Sequence, residues 1–222
     1  MKGRKILFFA IILIILAILI FVVFFSNGTF KNGKIGNNSS NQEIIENILN
    51  ISSYNAKINV EVNSNKNTNR YIIKQDYISP DILNQEVIEP ENICGVKIIK
   101  NRNQLRVENT KLNLTKIFEN YKYMTDNCLD LISFIKDYKE DENSKYEEKN
   151  NEIILITKNK LNNKYIKNKR LYIDKNTGKP TKMEIEDDNK NNTIYILYNE
   201  VNLNSNQQSI VAFYKTTNLK DI

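Results

Sequence analysis

The sequence predicts an α+β fold, an antiparallel sheet covered on one face by helices, carried on a single N-terminal transmembrane helix. Three observations predict it. Residues 6–25 read ILFFAIILIILAILIFVVFF, without a charge, a Pro or a Gly; about 20 apolar residues at 1.5 Å each span a hydrocarbon core of about 30 Å. Beyond residue 25 most segments alternate apolar and polar residues with period two, as strands with one wet face do. Two other segments have helical spacing, one before the strands and one among them, which is the order of an α+β domain.

The apolar run reads as an uncleaved signal anchor. It is longer than a signal-peptide core and ends Val22-Val23-Phe24-Phe25, without small residues for cleavage. A lipoprotein signal would need a Cys directly after it, and the first Cys is Cys94. Lys2, Arg4 and Lys5 precede the run, so residues 1–5 are expected in the cytoplasm and the rest of the chain outside it. Residues 26–41 are rich in Gly, Asn and Ser and read as a flexible linker. Residues 42–222 form the extracytoplasmic domain, long enough for one core.

That domain opens with Ser40-Asn41-Gln42-Glu43, a capping-box pattern, and Ile44, Ile45, Ile48 and Leu49 then share one side of a short helix. Tyr54, Ala56, Ile58, Val60 and Val62 alternate with polar residues, predicting a strand. Further strands are predicted over Arg70 to Ile78, before Pro80, and over Gln85 to Ile88, before Pro90. Val96 to Lys100 and Gln104 to Glu108 read as a hairpin around residues 101–103. Residues 112–123 are ambiguous: Leu114, Ile117, Phe118 and Tyr121 also fit a turn or two of helix. A clear helix is predicted from Asp126, capped by Asp126 or Asn127, with an apolar stripe of Cys128, Leu131, Ile132, Ile135 and Tyr138. Lys145 to Lys149, Glu152 to Lys158, Lys164 to Asp174, Thr181 to Asp187 and Thr193 to Val201 read as a strand meander, with Ser209 to Tyr214 as an added edge strand.

The net charge is +6. Lys2, Arg4 and Lys5 carry three of these, leaving 6 − 3 = +3 for the exported part, with bases and acids interspersed. That is not a nucleic-acid footprint. Asn makes up roughly a sixth of the chain, far above ordinary usage, a bias that points to a low-GC Gram-positive bacterium. The absence of His excludes His-based triads and zincin motifs, and no P-loop, G-x-S-x-G or G-x-G-x-x-G occurs. No catalytic, cofactor or metal residues are expected, and the chain is expected not to be an enzyme. Cys94 and Cys128 leave a disulfide open, since an exported domain meets oxidising conditions; the alternative is a buried apolar Cys128 on a helix and a strand-end Cys94. Glu186-Asp187-Asp188 reads as a solvated hairpin tip. Glu86 and Glu89 read as an exposed strand edge that could face a partner. Tyr71, Tyr77, Tyr165, Tyr172, Tyr195 and Tyr198 read as core and rim packing, with a ligand-lining role open for some.

Several runs carry a family resemblance. They are Gln75-Asp76-Tyr77-Ile78-Ser79-Pro80, Gln85-Glu86-Val87-Ile88-Glu89-Pro90, Asn127-Cys128-Leu129-Asp130-Leu131, and Leu171-Tyr172-Ile173-Asp174 before Thr177-Gly178-Lys179-Pro180 and Met183-Glu184-Ile185. With the membrane-targeted N-terminus, residues 42–203 resemble the LolA-like lipoprotein carriers and, more narrowly, the clostridial germination lipoproteins related to GerS. The resemblance implies a curved LolA-like half-barrel and a non-enzymatic role: binding and supporting a spore-cortex amidase in sporulation and germination, or, as in the carriers, holding lipid or lipoprotein acyl chains. It departs from GerS in lacking a lipobox Cys, the helix 6–25 taking the place of the lipid.

Overall fold

The computed structural model describes residues 40–64, 66–119, 128–159 and 163–204, all within the compact unit Ile35–Ile222. The expected anchor and linker, the helix start at Asp126 or Asn127, and the edge strand 209–214 lie outside the described residues. Among those described, no helix is long and apolar enough to cross a membrane.

Helix α1 spans Asn41–Leu49, and the Ser40 hydroxyl accepts from the Glu43 N–H at 3.2 Å, the half of the capping box that satisfies an orphan donor. Ile44, Ile45 and Ile48 are buried. Among the described residues eleven strands follow: β1 Ser53–Asn63, β2 Thr68–Ile78, β3 Ile82–Glu89, β4 Val96–Asn101, β5 Gln104–Asn109, β6 Leu114–Phe118, β7 Lys145–Lys149, β8 Glu152–Lys158, β9 Asn168–Asp174, β10 Pro180–Glu186 and β11 Asn192–Leu203. Helix α2, Leu131–Glu140, lies between β6 and β7. The strands make one sheet, ordered β6-β5-β4-β3-β2-β1-β11-β10-β9-β8-β7, with every pairing antiparallel. All neighbours are sequence neighbours except β1 and β11, where Tyr54 pairs with Leu203 and the two ends of the domain meet.

Register decides which face each residue takes. Ile58 stands between Ile73 and Tyr198, and Val60 between Tyr71 and Ile196, so these side chains share an inner face. On β8 to β10, Leu155, Leu171 and Met183 share it too. The helices pack on this face. Tyr54, Phe134, Leu131, Leu155, Leu171, Ile173 and Met183 all lose essentially their whole surface, each worth about 1.5–3 kcal/mol of transfer for an aliphatic or Phe side chain. The Tyr54 ring stacks on Tyr77 at 5.6 Å, and its hydroxyl donates to Gln75 Oε1 at 3.2 Å. Gln75 Nε2 in turn donates to the Leu129 carbonyl at 3.1 Å, tying the sheet to the segment entering α2.

Three expectations are corrected or resolved. Residues 114–118 are a strand, not a helical turn, because they pair with β5 along their whole length, Leu105 to Phe118 and Asn109 to Leu114. Helix α2 begins later than expected: Asp130 is its N-cap, its carboxylate accepting from the Ser133 N–H at 2.7 Å. Its buried side is also turned from the expected stripe. Phe134 and Asp137 are buried, while Ile132 and Tyr138 only pack partly against the core. Of the two readings open for the cysteines, the structure has the unbridged one: Cys94 follows the 3-10 turn Glu91–Ile93 between β3 and β4, and Cys128 lies in the core, in the turn before α2.

Candidate binding surface

The second face of the sheet carries the residues that alternate with the core. The registers set them in two rows. One runs Glu89, Ile72, Asn59, Leu197, Lys182, Tyr172 and Ile154 across β3, β2, β1, β11, β10, β9 and β8. Its neighbour runs Arg70, Glu61, Tyr195, Glu184, Arg170 and Ile156. Between the rows, a groove of about 330 Å³ opens at Asn59, Glu61, Arg70, Ile72, Glu89, Tyr195 and Leu197.

The charges on this face are held by one another. Arg70 Nε lies 2.9 Å from Glu61 Oε2 across the β1–β2 pair; Arg70 is exposed and Glu61 partly so, and the pair adds little stability. Lys182 Nζ lies 2.9 Å from Glu184 Oε1 and 3.9 Å from the centre of the Tyr172 ring, within cation–π range. The Tyr172 hydroxyl donates to Glu184 Oε2 at 2.7 Å. Burial, followed by the hydrogen bond to Glu184 and its charge, pushes the Tyr172 hydroxyl well above its ordinary value, so it stays protonated and a donor. Arg170 pairs with Glu186. Beside the Glu89 carboxylate, the groove offers aliphatic and aromatic groups for contact: Ile72, Tyr195 and Leu197, the last 38% exposed.

The expected site residues fall as follows. Glu89 lines the groove, and Glu86 faces the same side with Lys97 Nζ 3.9 Å away. They do not form an edge: β3 is flanked by β2 and β4 over most of its length. Pro80 and Pro90 delimit the strand without placing it at the rim of the sheet. The acidic run is also corrected in part. Glu186 is buried, while Asp187 accepts from the Asn189 and Asn191 N–H groups, both at 2.8 Å, and so builds the β10–β11 turn. Of the tyrosines, Tyr77 and Tyr198 are in the core, Tyr71 packs partly against it, Tyr172 and Tyr195 lie on the second face, and Tyr165 is exposed in the turn before β9. Among the described residues no three His, Cys, Asp or Glu side chains come together as a metal site.

One pair escaped the sequence reading. Lys169 is fully buried, with Nζ 2.6 Å from Asp137 Oδ2 and 3.4 Å from Ser133 Oγ on α2. The signal was present: in β9, Lys169 shares the parity of Leu171 and Ile173, the inward residues.

A family model described as sporulation protein YdcC-like matches residues 8–210. The chain belongs to the YdcC-like sporulation protein family. The comparison with curated proteins gave no match. Among solved structures, a chain in the structure of the CwlD amidase from Clostridioides difficile in complex with the GerS lipoprotein is 27% identical; the match covers 73% of this chain and 95% of that one, with a TM-score of 0.47. An uncharacterized conserved protein from Thermus thermophilus is 11% identical over 77% of this chain and 92% of its own, with a TM-score of 0.49. The LolA superfamily protein NE2245 from Nitrosomonas europaea is 12% identical over 78% and 97%, with a TM-score of 0.41. A sporulation family agrees with the sporulation role that the sequence resemblance implies.

Proposed function

We propose that this YdcC-like protein is a membrane-anchored, extracytoplasmic, non-enzymatic binding module of sporulation that holds or activates a cell-wall amidase at the spore cortex. The observation that carries this reading is the second face of the sheet, where most charges are paired with their neighbours and aromatic and aliphatic groups stand between them. Aromatic-rich patches with a polar surround are what protein interfaces use. The amidase is the partner class that the GerS resemblance implies. The first residues remain in the cytoplasm, the helix 6–25 spans the membrane, and the domain, a half-barrel of the LolA kind, stands outside. Isothermal titration of the full chain in detergent micelles against the sporulation amidase of the same organism tests this. Binding is expected, weakened about tenfold or more by Tyr195→Ala with Leu197→Asp, as for central interface residues. Cleavage of peptidoglycan by the purified chain alone, lost on a single side-chain change, overturns it.

A second reading, a carrier or sensor of acyl chains, is favoured by one observation. Val96, Ile98, Leu105, Val107 and Phe118 share the inner face in β4 to β6 yet are only half-buried. Lipid co-purifying at one molecule per chain, measured by mass spectrometry after detergent exchange, would support the carrier.

A further inference from the structure

The two rims of the sheet are unlike. The β7 rim reads Lys-Tyr-Glu-Glu-Lys, and its charges are engaged: Lys145 with Glu147 at 2.7 Å and Lys175 with Glu148 at 2.8 Å. Charged side chains on an edge strand oppose pairing with another chain. The β6 rim reads Leu-Thr-Lys-Ile-Phe. Leu114 is 61% and Ile117 49% exposed, and Leu112, in the turn before it, 65%. β6 ends the strand order among the described residues, and its one charge, Lys116, opposes a strand of like charge while leaving the rim open to one of opposite charge. Such a strand is a template for an added one.

We propose that β6 docks an extended segment of a partner protein, added antiparallel as a twelfth strand and carrying a carboxylate opposite Lys116. The rows of the sheet specify the segment. Ile98, Val107 and Lys116 lie in line, so the next position in that row meets an ammonium, whose neighbour in the chain is the Phe118 ring 5.0 Å away. Leu105 and Phe118 define an apolar row on one side, Leu114, opposite Asn109, supplies an apolar position on the other, and Ile117, opposite Arg106, supplies one on the opposite face. An acidic residue with aliphatic residues two places to either side fits these rows. Opposite charges across a strand pair stabilise and like charges destabilise, and this selects the occupant. A second copy of this chain, in the register that pairs all five residues of β6, sets Lys116 against its own copy. The apolar run 209–214 of this chain has no carboxylate to offer. The inference deepens the binding reading above and rests on it.

The test uses the full chain in detergent micelles and two fluorescein-labelled peptides, Ser-Lys-Val-Ile-Glu-Thr-Val-Lys-Ser and the same peptide with a central Lys, read by fluorescence anisotropy. The Glu peptide is expected to bind about fivefold more tightly, an order that Lys116→Glu reverses. Ile117→Glu should abolish binding of both, with the circular dichroism spectrum unchanged. Equal affinity for the two peptides, or an order that Lys116→Glu leaves alone, overturns the proposal. So does a micellar dimer that Ile117→Glu dissociates, which would assign the rim to a second copy. Loss of the charge preference while the amidase still binds overturns this inference and leaves the binding-module reading standing.

Discussion

Lys169 shows how a single residue joins two elements. Its ammonium has left water entirely, a cost of several kcal/mol that only close pairing returns. The return comes from Asp137 at 2.6 Å and the Ser133 hydroxyl, both on α2, so the pair fixes the helix over β9. Removing one charge should therefore cost far more than removing both. Asp137→Ala and Lys169→Met are each expected to lower stability by roughly 3–5 kcal/mol, and Lys169→Met combined with Asp137→Leu by much less than their sum. Urea denaturation of the four proteins checks this; additive losses would mean the pair is not coupled. Lys169 was readable from strand parity, but its partner was not, since Asp137 lies off the apolar stripe that the sequence shows on the helix.

At the scale of elements, period two was a dependable guide. β1, β2 and β8 appear close to where alternation places them, because each has one face in the core; β4, β5 and β7 appear there too, although none of them buries a residue. β6 failed for the opposite reason. It is a rim strand exposed on both faces, so Leu114, Ile117 and Phe118 show no alternation and their spacing of three and four mimics a helix. In α2 the existence of the helix was readable, but its rotation was not. The sequence stripe runs through Ile132, whereas packing against β8 and the pull of Lys169 on Asp137 bring Phe134 inward. Phe134→Ala and Ile135→Ala should thus cost about 3–5 and 2–5 kcal/mol, and the half-buried Ile132→Ala clearly less. Ser133→Ala, on a hydroxyl that meets the Lys169 ammonium, should cost about 1 kcal/mol rather than behave as a surface change. Thermal unfolding of the four variants reads the order; Ile132→Ala costing as much as Phe134→Ala would put the helix back on the expected stripe.

For the whole molecule, β1 is the strand on which both halves of the sheet depend. It pairs with β2 on one side and, over nine residues, with β11 on the other, so the domain closes only when its last strand arrives. The open face exists because of that closure: Tyr195 and Leu197 come from β11, Arg70 and Ile72 from β2, and Glu61 and Asn59 stand between them. No local pattern in the sequence could assemble this site, since it depends on which strands become neighbours, and Glu86 and Glu89 were misread as an edge for the same reason. If the face works by contact and residues 6–25 form the proposed anchor, that anchor has only to confine the face to a membrane, where the effective concentration near a wall-bound partner rises. Exchanging residues 6–25 for an unrelated membrane helix of equal length should then leave sporulation and germination largely intact. Releasing the domain behind a cleavable signal should lower germination at unchanged protein abundance, and overexpression of the released form should restore it in part. Heat-resistant spore counts and cortex-fragment release measure both. A released domain that works fully at native abundance would show that the membrane contributes nothing, and one that fails at any abundance would give the helix a role beyond confinement.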